Sequence, residues 1–268
     1  MATPIGNLGD ITLRALETLA ACDVIACEDT RTSGVLLKRY GIATSKVSYT
    51  EHNAAQRGEE LVSRIEAGEA VALISDAGTP LVSDPGFRLV KEVVAKGLPV
   101  TTVPGASAPL SALPGSGLDN SAFQFAGFLP GKALARRAAL AQHADQAATM
   151  IYFESPARIV ATLADAVSAI GADRDACIAR ELTKMHETFH RGTLAALHEE
   201  FAAMDRVRGE IVLLIGGADN RETSMEDAEQ LLIEALSTMK PGQAASLIAR
   251  QTGLSRQDLY RKALSLKD

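Results

Sequence analysis

Small and flexible residues that could admit a ligand gather in three short stretches. The longest is Ser75-Asp76-Ala77-Gly78-Thr79-Pro80-Leu81-Val82-Ser83-Asp84-Pro85-Gly86, which directly follows an apolar run at 70–75. Thr3-Pro4-Ile5-Gly6-Asn7 and Pro104-Gly105-Ala106-Ser107-Ala108 are shorter versions of it. Glycine lets a backbone come close to a ligand, and open α/β sheets bind ligands beyond the carboxyl ends of their strands. Gly and Pro are equally ordinary in a tight turn, so composition alone leaves both readings open for any one stretch. Three such loops at one sheet edge would form a continuous cradle.

A fourth stretch looks more specific than it is. His186-Glu187-Thr188-Phe189-His190 spells the H-E-x-x-H zinc pattern, which holds a metal only when both histidines share a helix face. Thr188, Phe189 and Thr193 favour a strand, and Gly192 closes the segment, so no metal site is expected. An acidic residue followed by G-x-G-x-G after a strand, and a Walker phosphate loop, are both absent.

The elements that would position these loops alternate. Apolar strand-like runs at 23–27, 70–75 and 99–103 are separated by amphipathic stretches, the pattern of a mostly parallel sheet covered by helices. A Gly- and Pro-rich segment at 104–120 reads as a loop between lobes. Strands are then expected at 123–128, 149–154, 176–180, 188–192 and 210–215, with helices at 134–143, 158–170 and 194–204. Strands here follow one another more often without a helix, as in a mixed sheet. Helices alone are expected at 225–239, 243–251 and 256–266. The organisation expected is an α/β lobe at 1–117, a second at 118–220 and a helical extension at 221–268. In the extension Lys240, Arg250, Arg256, Arg261, Lys262 and Lys267 face only Asp258. A helix, a turn at Gly253 and a second helix fit either a helix-turn-helix that contacts nucleic acid or a small packing domain with a solvated face.

With 47 % hydrophobic and 22 % charged residues, 268 residues can bury a substantial core, which excludes a disordered chain. The net charge of −6 opposes non-specific attraction to phosphates, so a nucleic-acid partner would be held by a local basic surface or by shape. Aromatic residues make up 4 % of the chain, with no Trp, which disfavours an open stacking platform. Cys22, Cys27 and Cys177 have no metal-ligand spacing and read as reduced core thiols. No apolar run approaches a membrane span and no signal-peptide pattern opens the chain, so a soluble cytoplasmic protein is expected.

Taken in order, Ala2 to Asp10, Cys27-Glu28-Asp29-Thr30-Arg31, Glu51-His52-Asn53, Ser75 to Gly86, Val103 to Ala108, Phe153-Glu154-Ser155-Pro156 and Arg180-Glu181-Leu182-Thr183-Lys184 resemble the signatures of the tetrapyrrole-methylase superfamily. Within it they resemble the branch that methylates a ribose of small-subunit ribosomal RNA. The resemblance runs to about Gly217, and the tail is similar to that branch's C-terminal extension. It implies two α/β lobes with S-adenosyl-L-methionine in the cleft between them, in a homodimer. It also implies that the acceptor is a cytidine of 16S rRNA, position 1402, in the decoding region of the small ribosomal subunit.

Carried over by position, the resemblance assigns cofactor contacts to Pro4, Ile5, Gly6, Thr79, Val82, Ser107, Ala108, Phe153, Leu182, Gly209 and Glu210. Glu28 or Asp29 would orient the acceptor hydroxyl or take its proton, and Arg31 or Lys184 would steady a phosphate or the developing alkoxide. A salt bridge or a helix cap accounts for the same residues, Asp29 especially. His52, Asn53 and Arg57 could contact RNA or simply begin a helix.

The chain departs from the family twice. Thr79 stands where many members have the Asp of a Gly-Asp-Pro triplet. The apolar strand that leads into the Ala-Thr-Pro loop is missing, since numbering starts at Met1; either the start codon is misassigned or the chain is truncated, and the former is favoured because losing a central strand leaves its neighbours unpaired. Two other readings share the fold: a methyltransferase for a corrin or porphyrin precursor, and a non-catalytic RNA-binding or ribosome-associated protein.

Overall fold

The computed structural model describes residues 1–218, 225–237, 239–252 and 254–266. It divides into two compact units, Met1–Gly216 and Gly217–Asp268.

The first unit carries two sheets. In the first, β1 (Val24–Cys27) lies between β2 (Lys46–Ser48) and β3 (Val71–Ile74), all parallel. Every residue of β1 is buried, as expected of a strand covered on both faces. One face packs Val24 and Ala26 against α3 (Ala54–Glu66) and α4 (Phe87–Ala95), through Leu61, Leu89 and Val93. The other packs Ile25 and Cys27 against α1 (Leu13–Ala21) and α2 (Thr30–Arg39), through Leu19 and Leu37. Thr12 caps α1 by accepting from the Ala15 N–H at 3.1 Å.

Residues 99–103 do not form the third strand that their composition suggests. Their neighbour at β3's free edge is the chain's first residues: the Met1 ammonium donates to the Leu73 carbonyl, Thr3 bridges to Gly78, and Ala2 N–H donates to Val103 O. One such bond is not a ladder. The segment 104–120 is likewise not a plain loop, since it contains α5 (Ala108–Ser116). Pro109 falls in α5's first turn, where a missing N–H costs nothing, and Gly117 ends the helix in the left-handed region with φ 77°.

The second sheet has the order β4 (Phe123–Phe128), β5 (Thr149–Glu154), β8 (Ile211–Ile215), β6 (Asp175–Arg180), β7 (Thr188–Thr193). Only the β4–β5 pair is parallel, so the sheet is mixed. Side chains alternate between its faces. Met150, Tyr152, Ile178 and Leu213 pack under α6 (Ala133–Ala141), α7 (Ile159–Ile170) and α8 (Leu194–Ala202). Ile151, Cys177, Val212 and Leu214 face α5 and reach Ile5 and Leu182. β7 explains why the H-E-x-x-H pattern is a coincidence of letters: His190 lies on a strand and His186 precedes it, so no helix face holds both.

All three cysteines are buried, and burial pushes their thiols up, that of Cys177 to about 11.

The second unit packs α9 (Met225–Leu236), α10 (Pro241–Thr252) and α11 (Arg256–Ser265) around Leu232, Ile248 and Leu259. The expected turn at Gly253 and the charge at Lys267 lie outside the described residues. The basic surface is smaller than the local sequence suggests. Lys262 pairs with Glu229 of α9 at 2.7 Å, an acid upstream of the cationic stretch, and Arg261 pairs with Asp258 at 3.5 Å. Lys240, Arg250 and Arg256 remain exposed, without an ion pair among the described residues. Among the same residues no helix is long and apolar enough to cross a membrane.

Candidate active site

The three small-residue loops meet at one cavity of about 420 Å³, closed on its far side by the second sheet. Ile5 comes from the first loop, Thr79, Val82 and Asp84 from the second, and Ser107 and Ala108 from the third. Phe153 follows from β5, Leu182 from the β6–β7 turn, and Gly209 and Glu210 from the approach to β8. Two of the positions expected here stand elsewhere. Pro4 faces a neighbouring cavity, and Gly6 packs under the β6–β7 turn, where an added Cβ would come within 2.6 Å of Lys184 Cγ.

Backbone strain concentrates in the second loop and in the β6–β7 turn. Leu81, Ser83, Glu181 and Thr183 are the non-glycine residues with positive φ among the described residues, at 69°, 66°, 54° and 64°. Such conformations cost about 1–3 kcal/mol each and persist where surrounding contacts impose them, often at ligand sites. Thr79 Oγ1 donates to Ala106 O at 3.2 Å, tying the second loop to the third. The β6–β7 turn is tied to β8 by Glu181, whose Oε1 accepts from Lys184 Nζ at 2.9 Å and from Glu210 N–H at 2.8 Å. Gly209, at φ 90°, has no room for a side chain, because a Cβ would lie 2.5 Å from Glu181 Cγ.

The charged candidates separate by environment. Asp29 caps α2, its Oδ1 accepting from Arg31 N–H at 2.7 Å, and it also holds the Arg31 guanidinium at 2.8 Å. That hydrogen bonding draws its carboxyl down to about 2. Arg31 is 90 % exposed on its side chain and is spent on this local pair. Burial works against the charge of Lys184, but bonds to Glu181 and Glu210 outweigh it and hold the ammonium above the usual lysine value. Glu28 is raised by burial and then by the nearby charges of Asp76 and Asp29.

The titratable group that sequence reasoning overlooked is Asp84. It lines the cavity, and burial, reinforced by the charge of Glu28, raises its carboxyl to about 6 even though Ser75 offers a hydrogen bond. The remaining candidates lie in the α3 approach. Asn53 accepts from Thr50 N–H at 2.8 Å and donates to Ser48 O at 3.2 Å, Arg57 pairs with Glu60, and His52 is exposed. None of the three lines the cavity. Phe128 does, 59 % exposed, with its ring centroid 5.4 Å from that of Phe153.

A cavity assembled this way can hold an elongated, partly apolar ligand against backbone and aromatic surfaces, with one carboxylic acid raised to about 6. Comparison with known proteins gives it a family. Residues 2–198 match the model of Tetrapyrrole (Corrin/Porphyrin) Methylases, and 222–267 match the RsmI C-terminal HTH domain. A ribosomal RNA small subunit methyltransferase I of Mesorhizobium japonicum is 52 % identical, covering 100 % of this chain and 91 % of its own. That of Erythrobacter litoralis is 51 % identical, over 100 % of this chain and 94 % of its own. Among solved structures, a uroporphyrin-III C-methyl transferase from Thermus thermophilus complexed with S-adenyl homocysteine has a TM-score of 0.54 at 20 % identity, covering 81 % of this chain and 95 % of that one. The chain therefore belongs to the tetrapyrrole methylases and, within them, to the ribosomal RNA small subunit methyltransferase I family.

Proposed function

We propose that this protein transfers the methyl group of S-adenosyl-L-methionine to the 2′-oxygen of a cytidine in the decoding region of 16S rRNA, acting on the small ribosomal subunit as a cytoplasmic homodimer. The observation that carries the cofactor reading is the cavity itself. It draws Ile5, Thr79, Val82, Ser107, Ala108, Phe153, Leu182, Gly209 and Glu210 together from both sheets, and these are positions the family resemblance assigns to the cofactor. Its size, small-residue rim and the Phe128–Phe153 pair fit a nucleoside with a flexible tail. The full-length identity to rRNA methyltransferases, against likeness of fold alone to the porphyrin enzyme, favours RNA over a tetrapyrrole acceptor.

When bound, the cofactor supplies an electrophilic methyl group on a sulfonium. The protein's work is to align the acceptor with it, exclude water and take one proton. Asp84 is the group placed for the proton, because a ribose hydroxyl is a very weak acid and a carboxylate near 6 is a far better acceptor than Asp29 near 2. The charge of Glu28 raises its basicity further. Lys184 is engaged by Glu181 and Glu210, so it would steady a phosphate or the alkoxide only by leaving that pairing. Arg31, Asp29, His52, Asn53 and Arg57 are then outer contacts to RNA. The exposed cations of α10 and α11 supply a further basic surface for the same partner.

The test is transfer of labelled methyl to small subunits lacking the modification, with naked rRNA and a corrin precursor in parallel and the product nucleotide mapped. Label on a cytidine 2′-oxygen is expected. Label on the small molecule alone would overturn the RNA reading.

A further inference from the structure

A second cavity, of about 300 Å³, opens between the N-terminal loop, α2 and the end of β3. It shares no lining residue with the first, yet the chain passes from one to the other at Pro4–Ile5 and again at Asp76–Ala77. Pro4, Leu36 and Ile74 give it apolar walls, while Ser33 and Asp76 give it a polar edge.

That edge is unfinished. Ser33 is 4 % exposed and its Oγ finds no partner among the described residues beyond a weak contact with the Cys27 thiol. That thiol also donates to Val47 O at 3.7 Å. A buried hydroxyl left this way costs about 1–3 kcal/mol unless something else satisfies it. Asp76 spends Oδ1 on the Asp29 N–H at 3.0 Å, and no donor among the described residues reaches Oδ2. A hydroxyl donor and a free carboxylate oxygen, between apolar walls, match a flat ring whose edge carries an amino group beside a ring nitrogen.

We propose that this cavity receives the base of the acceptor nucleotide, swung out of its stack, that Asp76 selects cytosine over uracil and that Ser33 holds the ring nitrogen beside it. The inference rests on the RNA-acceptor reading above and adds the residues that choose the base. The cytosine amino group donates to Asp76 Oδ2 and the Ser33 hydroxyl donates to the ring nitrogen. Uracil would turn a carbonyl toward the carboxylate, while the hydroxyl can accept its ring N–H as readily as it donates to the cytosine nitrogen, so Asp76 carries the discrimination. With the base there, the ribose is directed toward the first cavity, where Asp84 feels the charge of Asp76.

The experiment compares wild-type chain, Asp76→Asn and Ser33→Ala on small subunits carrying C or U at the mapped nucleotide, with cofactor affinity and melting temperature followed alongside. Wild type is expected to prefer C by about tenfold or more. Asp76→Asn keeps the oxygen that serves Asp29 but presents an N–H where the free oxygen stood, so the C-to-U ratio should fall toward one. Ser33→Ala removes a weakly partnered hydroxyl and should leave melting nearly unchanged. It should nevertheless raise KM for the subunit about fivefold at constant cofactor affinity. Active variants that keep the wild-type ratio and KM would overturn the base pocket while leaving the methyl-transfer reading intact. Failure of the wild type to label either subunit would overturn the RNA reading and this inference with it.

Discussion

Residues 28–31 and residues 77–86 stand at the ends of adjacent parallel strands, and they invert what their letters suggest. The 28–31 segment is dense in charge and resembles catalytic equipment. Folded, Asp29 and Arg31 satisfy each other and the first turn of α2, on the surface. The 77–86 segment has the composition of a turn, yet it holds two left-handed non-glycine residues and a cavity-lining acid raised to about 6. The carboxylate shifted toward the working pH is the one that is buried beside other acids, and in this molecule it is the less conspicuous of the two.

The comparison is broken most directly by Asp84→Asn. Loss of the proton acceptor should lower kcat by about a hundredfold with cofactor affinity unchanged, whereas Asp29→Asn should alter kcat only a few-fold. Equal effects, measured by single-turnover methyl transfer, would remove the distinction.

The next largest effect concerns the loop's backbone. Gly86 adopts φ 131°, and a Cβ there would lie 2.7 Å from Leu73 Cδ2 and 2.9 Å from Leu81 Cδ1. Gly86→Ala should destabilise the first unit by about 2–4 kcal/mol. Gly34→Ala in α2, whose new methyl would meet only the tip of Lys46 at 3.7 Å, should stabilise it by up to about 1 kcal/mol. Denaturant midpoints check both.

A pH series sharpens the contrast between the acids. The Asp84 carboxyl is raised on folding, so its contribution is fully present below the unfolded value near 4 and is lost as pH rises through about 6. Asp84→Asn should therefore gain stability over wild type above pH 6, on the order of 2 kcal/mol, and little at pH 4. Asp29 is depressed, so its contribution is present above the unfolded value and is lost as pH falls toward 2. Asp29→Ala should give the smallest effect, a slight fall in melting temperature at neutral pH that fades in acid.

Much of the frame was legible in the sequence, because β1, β3, β5 and β8 are apolar runs of ordinary length bounded by turn residues. The three loops were legible as a group for the same reason. What escaped depends on distant partners. β2 is three residues long and half-exposed, with little pattern of its own. α5 hides behind Pro109, Pro114 and flanking glycines that also spell a loop. Residues 99–103 have strand composition but no adequate neighbour to pair with. Asp84 owes its character to burial and to Glu28, far upstream, and Lys262 loses its free charge to Glu229. A window of sequence shows residue types, but it does not show which of them meet.

β8 is hydrogen-bonded on both edges and buried along its whole length, and its first residues, Ile211 and Val212, line the first cavity. Its central amides can exchange with solvent only when the surrounding sheet opens, so they should be among the slowest to take up deuterium. The wall that such a strand gives a bound ligand is already in place before binding. Ordering costs on association then fall on the loops opposite it.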